Sequence, residues 1–287
     1  MSDEKNKVLK STLYLVATPI GNLADISERA IKVLSEVDFI AAEDTRNSAR
    51  LLQALGIKKE LVSYHEHNKK SSGEKLVARL LMGESCALVT DAGMPAISDP
   101  GEDIVRLCAD AGITVSVIPG ACAAVSALSV SGLATGRFAF EGFLSPNKGE
   151  RKRQLERVKN EDRTLIFYEA PHKLKATLSD MAEILGNDRK ISLCRELTKI
   201  NEEIRRTTLG EAVKYYNAND PRGEFVLIVE GFSGEVIDDR VKELLDLPIE
   251  SHVEVYEKEG LSRMDAIKRA AKDRGMTKSE LYKLLNC

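Results

Sequence analysis

The N-terminal half of the chain repeats one pattern, in which an apolar run of strand length is followed by a loop and then by apolar residues at helical spacing. This pattern first occurs with an apolar run at 13–17, the loop Thr-Pro-Ile-Gly-Asn at 18–22 and apolar residues at helical spacing within 25–37. Alternating strands and helices predict a parallel, doubly wound α/β sheet, because parallel strands need crossover connections that are usually helices. The other predicted strands are 38–44, 86–93 and 113–120, and the other predicted helices are 46–55, 101–111 and 121–133.

The loops that follow these strands predict where a ligand binds. In an open α/β sheet, ligands bind at the carboxyl ends of the strands. We therefore expect four loops to line one crevice, namely 18–22, 43–46, 90–101 and 119–124. The segment 89–101 has more glycine, proline and aspartate than a simple connection needs, which predicts a site for a cofactor that lacks phosphates. A purely structural loop is the alternative.

The length of the chain and a change of pattern predict three regions. The 287 residues exceed the usual size of one domain. Further strand patterns occur within 163–174, 191–197 and 223–231, and the sequence beyond 231 has only helical patterns, at 239–245, 251–259, 262–274 and 277–285. We expect an N-terminal α/β domain at 1–119, a second α/β domain at 120–232, and a helical, helix-turn-helix-like region at 233–287.

The composition limits the partners and the location. A net charge of -3 means that nucleic-acid binding would have to use local basic patches rather than the whole surface. The five cysteines form no Cys-x-x-Cys pair and are predicted to be reduced thiols rather than disulfides or zinc ligands. No apolar stretch has the length of a signal peptide or of a membrane span, so we expect a cytoplasmic protein.

Two adjacent acids after the second predicted strand are candidates for acid–base chemistry. Glu43 and Asp44 are followed closely by Arg46. Neighbouring strand residues point to opposite sides, so only one of the two acids is expected to face the crevice. That acid can deprotonate a substrate hydroxyl, while Arg46 neutralises a phosphate or fixes its acidic neighbour. A helix N-cap with a surface ion pair explains these residues equally well.

Polar side chains after other strands are further candidates. His65 and His67 are expected to share one face of a strand. No third ligand follows at a recognisable spacing, so hydrogen bonding in a substrate pocket, or a plain loop, is favoured over a metal site. The chemically capable residues further along are Glu169, His172, Arg195, Glu196 and Lys199. A salt-bridged rim between domains is the alternative for the Arg-Glu pair among them.

Two basic segments are candidates for contacts with nucleic-acid phosphates. The first is a predicted helix that contains Arg151, Lys152, Arg153 and Arg157. The second is a pair of short helices near the C-terminus, with Ser262 and Thr277 as predicted N-caps and with Lys268, Arg269 and Lys272 among its basic residues. This pair resembles a helix-turn-helix unit, and an ordinary helical pair with a solvated charged face explains it equally well.

A family resemblance extends from residue 13 to residue 231. Its motifs are LYLVATPIGN with the following segment to AAEDTR, then YHEHN, ALVTDAGMPAISDPG, VIPGACAAVSALSVSGL, FYEAPHKL, CRELTK and GEFVLIVEG. In this order they resemble the tetrapyrrole methylase superfamily, and within it the branch that modifies ribosomal RNA. The resemblance implies an enzyme that uses S-adenosylmethionine to methylate the ribose 2′-hydroxyl of a cytidine in the decoding region of 16S rRNA, free or in the small ribosomal subunit. It also implies two α/β domains with a cofactor cleft between them, and a homodimer.

The first loop distinguishes this branch from the porphyrin type. Porphyrin methylases have Gly-x-Gly-Pro-Gly after the first strand and Gly-Asp-Pro after a later one. Here the corresponding residues are Ala-Thr-Pro-Ile-Gly at 17–21 and Asp-Ala-Gly-Met-Pro at 91–95. These forms are typical of the rRNA branch, except that the branch usually has threonine where this chain has Met94.

The resemblance also implies roles for individual residues. The cofactor contacts of the family correspond to Ile20, Asp91, Ala92, Gly93, Ala96, Cys122, Ala123, Glu169 and Leu197. The base of the C-methylating members corresponds to Asp44, which is our first choice for accepting the ribose proton. Glu43, His65 and Lys199 are its rivals, and Arg46 and Arg195 suit backbone phosphates.

Three other functions explain the sequence less completely than this one. An enzyme that methylates a tetrapyrrole or another small metabolite would not need the basic segments. A non-catalytic RNA-binding protein would not need the clusters of acids. A nicotinamide dehydrogenase would need phosphate-binding glycines after the first strand, which this chain lacks.

Overall fold

The computed structural model describes residues 7–234 and 239–285. The chain divides into two compact units, one that ends at Phe232 and one that begins at Ser233. The first unit contains two β-sheets and the second is helical. The predicted boundary between the two α/β domains, at residue 119, stays a prediction.

The first sheet has five parallel strands in the order β3-β2-β4-β1-β5. The strands are β1 (Thr12–Val16), β2 (Phe39–Ala42), β3 (Glu60–Ser63), β4 (Cys86–Val89) and β5 (Thr114–Ile118). The helices that connect them are α1 (Glu28–Glu36), α2 (Thr45–Ala54), α3 (Lys69–Leu81) and α4 (Gly101–Asp110). The prediction of a parallel, doubly wound sheet is confirmed, although β3 and α3 were not among the predicted elements.

Alternate side chains of the buried strands face two different helical layers. Tyr14 and Val16 pack with α1 and α2, whereas Leu13 packs with α3 and α4. All four residues of β2 are buried, which explains why its sequence, Phe-Ile-Ala-Ala, is continuously apolar instead of alternating.

The second sheet is mixed, in the order β6-β7-β10-β8-β9. Its strands are β6 (Phe138–Phe143), β7 (Thr164–Glu169), β8 (Lys190–Arg195), β9 (Glu203–Thr208) and β10 (Phe225–Val229). Only β6 and β7 pair in parallel, and the other neighbours are antiparallel. Its helices are α5 (Ala123–Val130), α6 (Lys148–Val158), α7 (Pro171–Leu185) and α8 (Leu209–Ala218), of which α5 packs on one face and the other three on the opposite face.

The second unit contains four short helices, α9 (Asp239–Leu245), α10 (Ile249–Lys258), α11 (Arg263–Asp273) and α12 (Lys278–Leu285). Both predicted N-caps are present. Ser262 Oγ accepts a hydrogen bond from the Asp265 N–H at 3.2 Å. Thr277 forms a capping box with Glu280, whose Oε2 accepts from the Thr277 N–H at 2.7 Å.

The described cysteines have free thiols, and the described helices are short or polar. Cys86, Cys108 and Cys194 are buried free thiols, and Cys122 is a half-buried one, while Cys287 lies outside the described residues. Within 7–234 and 239–285, every helix is too short or too polar to cross a membrane.

Candidate functional site

Loops from both sheets of the first unit line a cleft of about 410 Å³. The first sheet contributes residues that follow β1, β2, β4 and β5, so each of the four predicted loops is represented. The second sheet contributes the carboxyl ends of β6, β7 and β8 and the amino end of β10.

The loop after β1 is held in place by short contacts on two sides. Thr18 and Gly93 form an antiparallel bridge, with the Thr18 N–H donating to the Gly93 carbonyl at 2.9 Å and the reverse bond at 3.1 Å. Gly93 has a φ of +83°, and a Cβ there would lie 3.2 Å from Ile20 Cγ2. A Cβ at Gly21 would collide with the Lys199 side chain. These two glycines therefore allow the loop to approach both the long loop after β4 and the loop after β8.

The residues predicted to contact the cofactor are brought together, with one exception. Those that line the cleft are Ile20, Asp91, Ala92, Gly93, Cys122, Ala123, Glu169 and Leu197. Ala96 is not in the lining. It has a φ of +67°, and its N–H donates to Asp99 Oδ1 at 2.9 Å. The Gly101 N–H donates to the same oxygen at 2.7 Å, so Ala96 helps to shape the loop from outside the lining, while Asp99 both shapes the loop and lines the cleft.

The two adjacent acids separate as the strand geometry predicts, but the acid that faces the cleft is Glu43. Glu43 lies in the lining, and its Oε2 accepts a hydrogen bond from Thr90 Oγ1 at 2.8 Å. Asp44 is the N-cap of α2 instead. Its carboxylate accepts from the Arg46 N–H at 2.8 Å and from both Nε and an Nη of Arg46, at 3.0 and 2.7 Å.

The choice of Asp44 as the base is not supported by this geometry. Its hydrogen bonds from Arg46 lower the pKa of the Asp44 carboxyl to about 2, so it binds a proton weakly near neutral pH. The Arg46 side chain is 85% exposed and fixes its acidic neighbour, which was one of its two predicted roles.

Lys199 and His65 do not fit the role of a base either. Lys199 lines the cleft, but its Nζ donates to Glu196 Oε1 at 2.8 Å and to Glu224 Oε2 at 2.9 Å. Burial opposes its charge, yet these two carboxylates outweigh burial and raise the pKa of Lys199. His65 lies outside the cleft lining.

The expectation that His65 and His67 share a strand face is wrong. β3 ends at Ser63, and both histidines lie in the turn before α3. Asn68 Oδ1 accepts a hydrogen bond from the backbone N–H of His65 at 2.8 Å, which closes that turn. Within the part of the chain that the structure describes, no group of three or more His, Cys, Asp or Glu side chains is arranged to hold a metal ion.

Several lining residues were not predicted from the sequence. Thr90 positions Glu43, and it directly follows β4, where a polar residue is itself a signal. Tyr168 Oη accepts a hydrogen bond from the Ala124 N–H at 3.2 Å, which joins β7 to the start of α5, and burial raises the pKa of Tyr168 to about 12. Phe143, at the end of β6, gave no signal beyond being apolar.

The cleft is strongly acidic. Among the described residues that line it, Lys199 supplies the only cation, whereas the carboxylates are Glu43, Asp91, Asp99, Glu169, Glu196 and Glu224. Glu169 is 2% exposed. Its oxygens accept from Thr177 Oγ1 at 2.5 Å and from the Ala170 N–H at 2.9 Å, and Lys173 Nζ lies 3.5 Å away. Such a lining favours a cationic ligand with hydroxyl or amino groups and disfavours a phosphate.

The first basic segment needs one correction. Arg151 is buried and forms an ion pair with Asp180 at 2.6 Å, and its Nη1 donates to the carbonyls of Ser145 and Pro146. It therefore joins α6 to α7 and is not available to bind RNA. Lys152 pairs with Glu183 at 2.5 Å. The two remaining arginines of the segment, 153 and 157, are exposed.

The second basic segment is exposed as predicted. Lys268, Arg269 and Lys272 lie on the outer surface of α11, while Ala266, Ile267 and two further alanines of this helix are buried. Arg269 Nε is 3.7 Å from Asp273 Oδ1.

The acids and bases after β8 form ion pairs within the second sheet and its loop, at the cleft and beside it, whereas the alternative considered from the sequence was a rim between domains. Arg195 Nε lies 3.2 Å from Glu203 Oε2, and Glu196 pairs with Lys199. His172 is exposed and does not line the cleft.

The two-sheet fold and this cleft define a class of methyltransferase. Residues 12–213 match the family described as Tetrapyrrole (Corrin/Porphyrin) Methylases, and the chain belongs to this family, whose methyl donor is S-adenosylmethionine. The fold also resembles the crystal structures of uroporphyrin-III-C-methyltransferase from Thermus thermophilus and of diphthine synthase. The first has a TM-score of 0.56 and 21% identity and covers 77% of this chain and 94% of that one. The second has a TM-score of 0.59 and 15% identity and covers 77% of this chain and 90% of that one.

Curated relatives place the chain more narrowly within that class. A Bacillus subtilis protein called Ribosomal RNA small subunit methyltransferase I is 51% identical over 94% of this chain and 92% of its own length. The Halalkalibacterium halodurans protein of the same name is 52% identical over 96% of this chain and 94% of its own length. The Escherichia coli O157:H7 protein of that name is 45% identical over 94% and 93%, respectively.

Proposed function

We propose that the protein transfers the methyl group of S-adenosylmethionine to the ribose 2′-hydroxyl of a cytidine in the decoding region of 16S rRNA. The observation that carries this proposal is the 45–52% identity, over more than nine-tenths of each chain, to relatives named for methylation of small-subunit ribosomal RNA. The loop Thr-Pro-Ile-Gly after β1, in place of the glycine-rich porphyrin form, supports the same substrate class.

The residues of the cleft fit the proposed cofactor. Apolar side chains of Ile20, Ala123 and Leu197 offer packing surface, and the positive φ of Gly93 lets the backbone come close to a ligand. Asp91 and Glu169 supply carboxylates that suit a sulfonium, an amino group or ribose hydroxyls. When bound, S-adenosylmethionine supplies a methyl group that its sulfonium makes electrophilic.

Glu43 is the base that we propose for the ribose proton. Transfer of the methyl group forms an oxygen–carbon bond and breaks a carbon–sulfur bond, and the hydroxyl must lose its proton. The hydrogen bond from Thr90 uses Glu43 Oε2, which leaves Oε1 to accept that proton. Thr90 fixes the orientation of the carboxylate, and the rest of the cleft aligns the two substrates for in-line displacement.

Contact with the rRNA phosphates is assigned to exposed cations outside the acidic cleft. In the first unit these are Arg153 and Arg157. In the second unit they are Lys268, Arg269 and Lys272 on α11. We further propose that the protein is a homodimer and acts in the cytoplasm, where its rRNA substrate is assembled into ribosomes.

The test is incubation with tritiated S-adenosylmethionine and either small ribosomal subunits or naked 16S rRNA, both from a strain that lacks the modification. We expect label in a ribose 2′-O-methyl cytidine, identified after nuclease digestion by mass spectrometry. Preferred labelling of one substrate decides between the subunit and free rRNA. If neither substrate acquires the modification, the proposed function is wrong.

A further inference from the structure

An exposed aromatic ring lies at the cleft and has no part in the chemistry assigned so far. Phe143 lines the cleft, yet its residue surface is 53% exposed. By contrast, Phe39, Phe167 and Phe225 are at most 2% exposed. An apolar ring that stays in water at a ligand site loses the stabilisation that burial would give it, which points to a partner in the bound state.

An irregularity in β6 aims this ring. The register between β6 and β7 shifts between Phe140 and Gly142, which leaves Glu141 as an extra residue in a β-bulge. In a regular strand, positions 140 and 143 would point to opposite faces. With the bulge, Phe140 and Phe143 both contact Tyr168, at ring-centroid distances of 5.0 and 5.5 Å. Bulges of this kind re-aim side chains next to active sites.

The bulge depends on a glycine. Gly142 has a φ of +64°, which a residue with a side chain adopts only with strain, and a Cβ there would lie 3.1 Å from Ser98 Oγ. Ser98 belongs to the long loop after β4 that also lines the cleft. The position of the Phe143 ring is therefore fixed by its own strand and by the cofactor loop.

A cation accompanies the ring. Lys173 Nζ lies 5.6 Å from the Phe143 ring centroid and 3.5 Å from Glu169 Oε1. An aromatic ring beside an ammonium group can receive a nucleotide, with the base stacked on the ring and the phosphate near the charge.

We propose that Phe143 is the stacking platform for the base of the acceptor nucleotide and that Lys173 contacts an adjoining phosphate. This inference rests on the proposed function, since it assumes that the acceptor is a nucleotide of RNA. A base in folded rRNA has to leave its stack before its ribose can enter the cleft, and Phe143 replaces part of the lost stacking. The ring thus holds the nucleotide while Glu43 faces the ribose.

The experiment compares Phe143→Leu and Phe143→Tyr with the wild type. Leucine keeps the apolar character without a π-face, whereas tyrosine keeps the ring. Phe138→Leu is the matched control, because Phe138 lies on the same strand, is 42% exposed and does not line the cleft. Four quantities are measured: kcat/KM for rRNA, the Kd of a short fluorescein-labelled oligocytidylate in the presence of S-adenosylhomocysteine, the Kd of S-adenosylhomocysteine itself, and the oligomeric state.

We expect Phe143→Leu to weaken oligocytidylate binding and to lower kcat/KM by about five- to a hundredfold, the range of one base stacked on an aromatic side chain. Phe143→Tyr and Phe138→Leu should stay near the wild type, and S-adenosylhomocysteine binding should be unchanged in all three. Gly142→Ala should reproduce the defect of the leucine variant by displacing the ring.

Each contrary result has a distinct meaning. Equal RNA binding by Phe143→Leu and wild type overturns the platform while leaving the methyltransferase function intact. If Phe143→Leu binds S-adenosylhomocysteine more weakly, the ring contacts the cofactor instead of the RNA base. If Phe143→Leu changes the oligomeric state, the ring contacts a second copy of the chain. Either result overturns the inference. If Phe143→Leu weakens oligocytidylate binding but the wild type methylates no rRNA, the platform stands and the proposed acceptor is wrong.

Discussion

At the scale of single residues, the neighbouring carboxylates Glu43 and Asp44 lie in different surroundings. Asp44 points along the start of α2, where it satisfies a free backbone N–H and is held by the Arg46 guanidinium. Glu43 points into the cleft and has one partner, the Thr90 hydroxyl, among the hydrogen bonds and ion pairs of the described residues. A base must be able to approach the reacting hydroxyl, and of these two acids Glu43 is the one that lines the cleft.

This difference predicts opposite results for two conservative substitutions. Glu43→Gln keeps the shape of the side chain but removes its ability to take a proton, so we expect kcat to fall by about a hundredfold or more. Asp44→Asn keeps an N-cap residue of nearly equal quality, so kcat should change by less than about tenfold. Single-turnover methylation of rRNA measures the chemical step, and calorimetry with S-adenosylmethionine measures cofactor binding separately.

Cofactor binding is the control for this pair. Both variants should bind S-adenosylmethionine as the wild type does, which separates a lost base from a damaged cleft. A large loss of kcat in Asp44→Asn with a normal rate in Glu43→Gln would restore Asp44 as the base and contradict the role of Glu43.

At the scale of secondary-structure elements, a buried polar network joins the helices of the second unit. His252 on α10 is completely buried, and its Nδ1 accepts a hydrogen bond from Arg274 Nε at 3.1 Å. Its Nε2 lies 3.5 Å from Asp273 Oδ2, which also accepts from Tyr256 Oη at 2.5 Å. The other cation near this carboxylate is Arg269. Since Nδ1 is an acceptor, the folded unit holds the neutral imidazole with its proton on Nε2.

The network predicts that the second unit loses stability in mild acid. Burial, followed by the nearby charge of Arg274, lowers the pKa of His252 from its ordinary value of 6.5. The unfolded chain therefore binds a proton that the folded unit does not, so stability decreases as the pH falls through about 6.5. NMR of the C2 proton should show His252 titrating below 6.5, and urea unfolding followed on the same resonance should give a lower midpoint in acid.

Two histidine variants test this assignment. His252→Gln should remove the extra loss of stability in acid, whereas His67→Gln, a change at an exposed site, should retain it. A His252 resonance that titrates above 6.5 would contradict the buried neutral imidazole.

Elements also differ in how well the sequence predicted them. β1, β2, β4 and β5 were recognisable because their apolar runs end in loops with specialised residues. β3 was missed because it is a short strand at the sheet edge, in which only two of the four residues are apolar and none is fully buried. The bulge in β6 gave no signal, since a glycine in a strand pattern has several explanations.

At the scale of the whole molecule, the sequence predicted which loops meet but not which side chains act. Parallel topology places the carboxyl ends of strands at one edge, so the positions of Ile20, Asp91 and Cys122 in one cleft follow from the strand order. The sequence could not show that Arg151 is unavailable to RNA, because its ion-pair partner Asp180 is 29 residues away on another helix. Charge seen along a sequence shows only how many cations exist, and tertiary ion pairs decide which of them remain available to a ligand.

The proposed RNA contacts lie outside the acidic cleft, and salt dependence can test them. The cleft is acidic, and we have proposed that exposed cations elsewhere bind the rRNA phosphates, including Lys268 and Lys272 on α11. Reversing both charges removes two phosphate contacts if the proposal is right. The slope of log K against log salt concentration should then decrease in magnitude by about 1.5, and rRNA affinity at low salt should fall, with kcat at saturating rRNA unchanged.

The matched control reverses two lysines at the opposite edge of the first sheet. Lys10 and Lys58 are exposed and precede β1 and β3, so they lie at the amino ends of the parallel strands, whereas the cleft lies at the carboxyl edge of the same sheet. The double variant Lys10→Glu/Lys58→Glu has the same change in net charge as Lys268→Glu/Lys272→Glu. Filter binding of rRNA over a range of potassium chloride concentrations gives both slopes. If the slope decreases in magnitude by the same amount in both variants, only net charge matters and α11 is not an RNA-binding surface. If the slope decreases only in the α11 variant, that helix contacts phosphates.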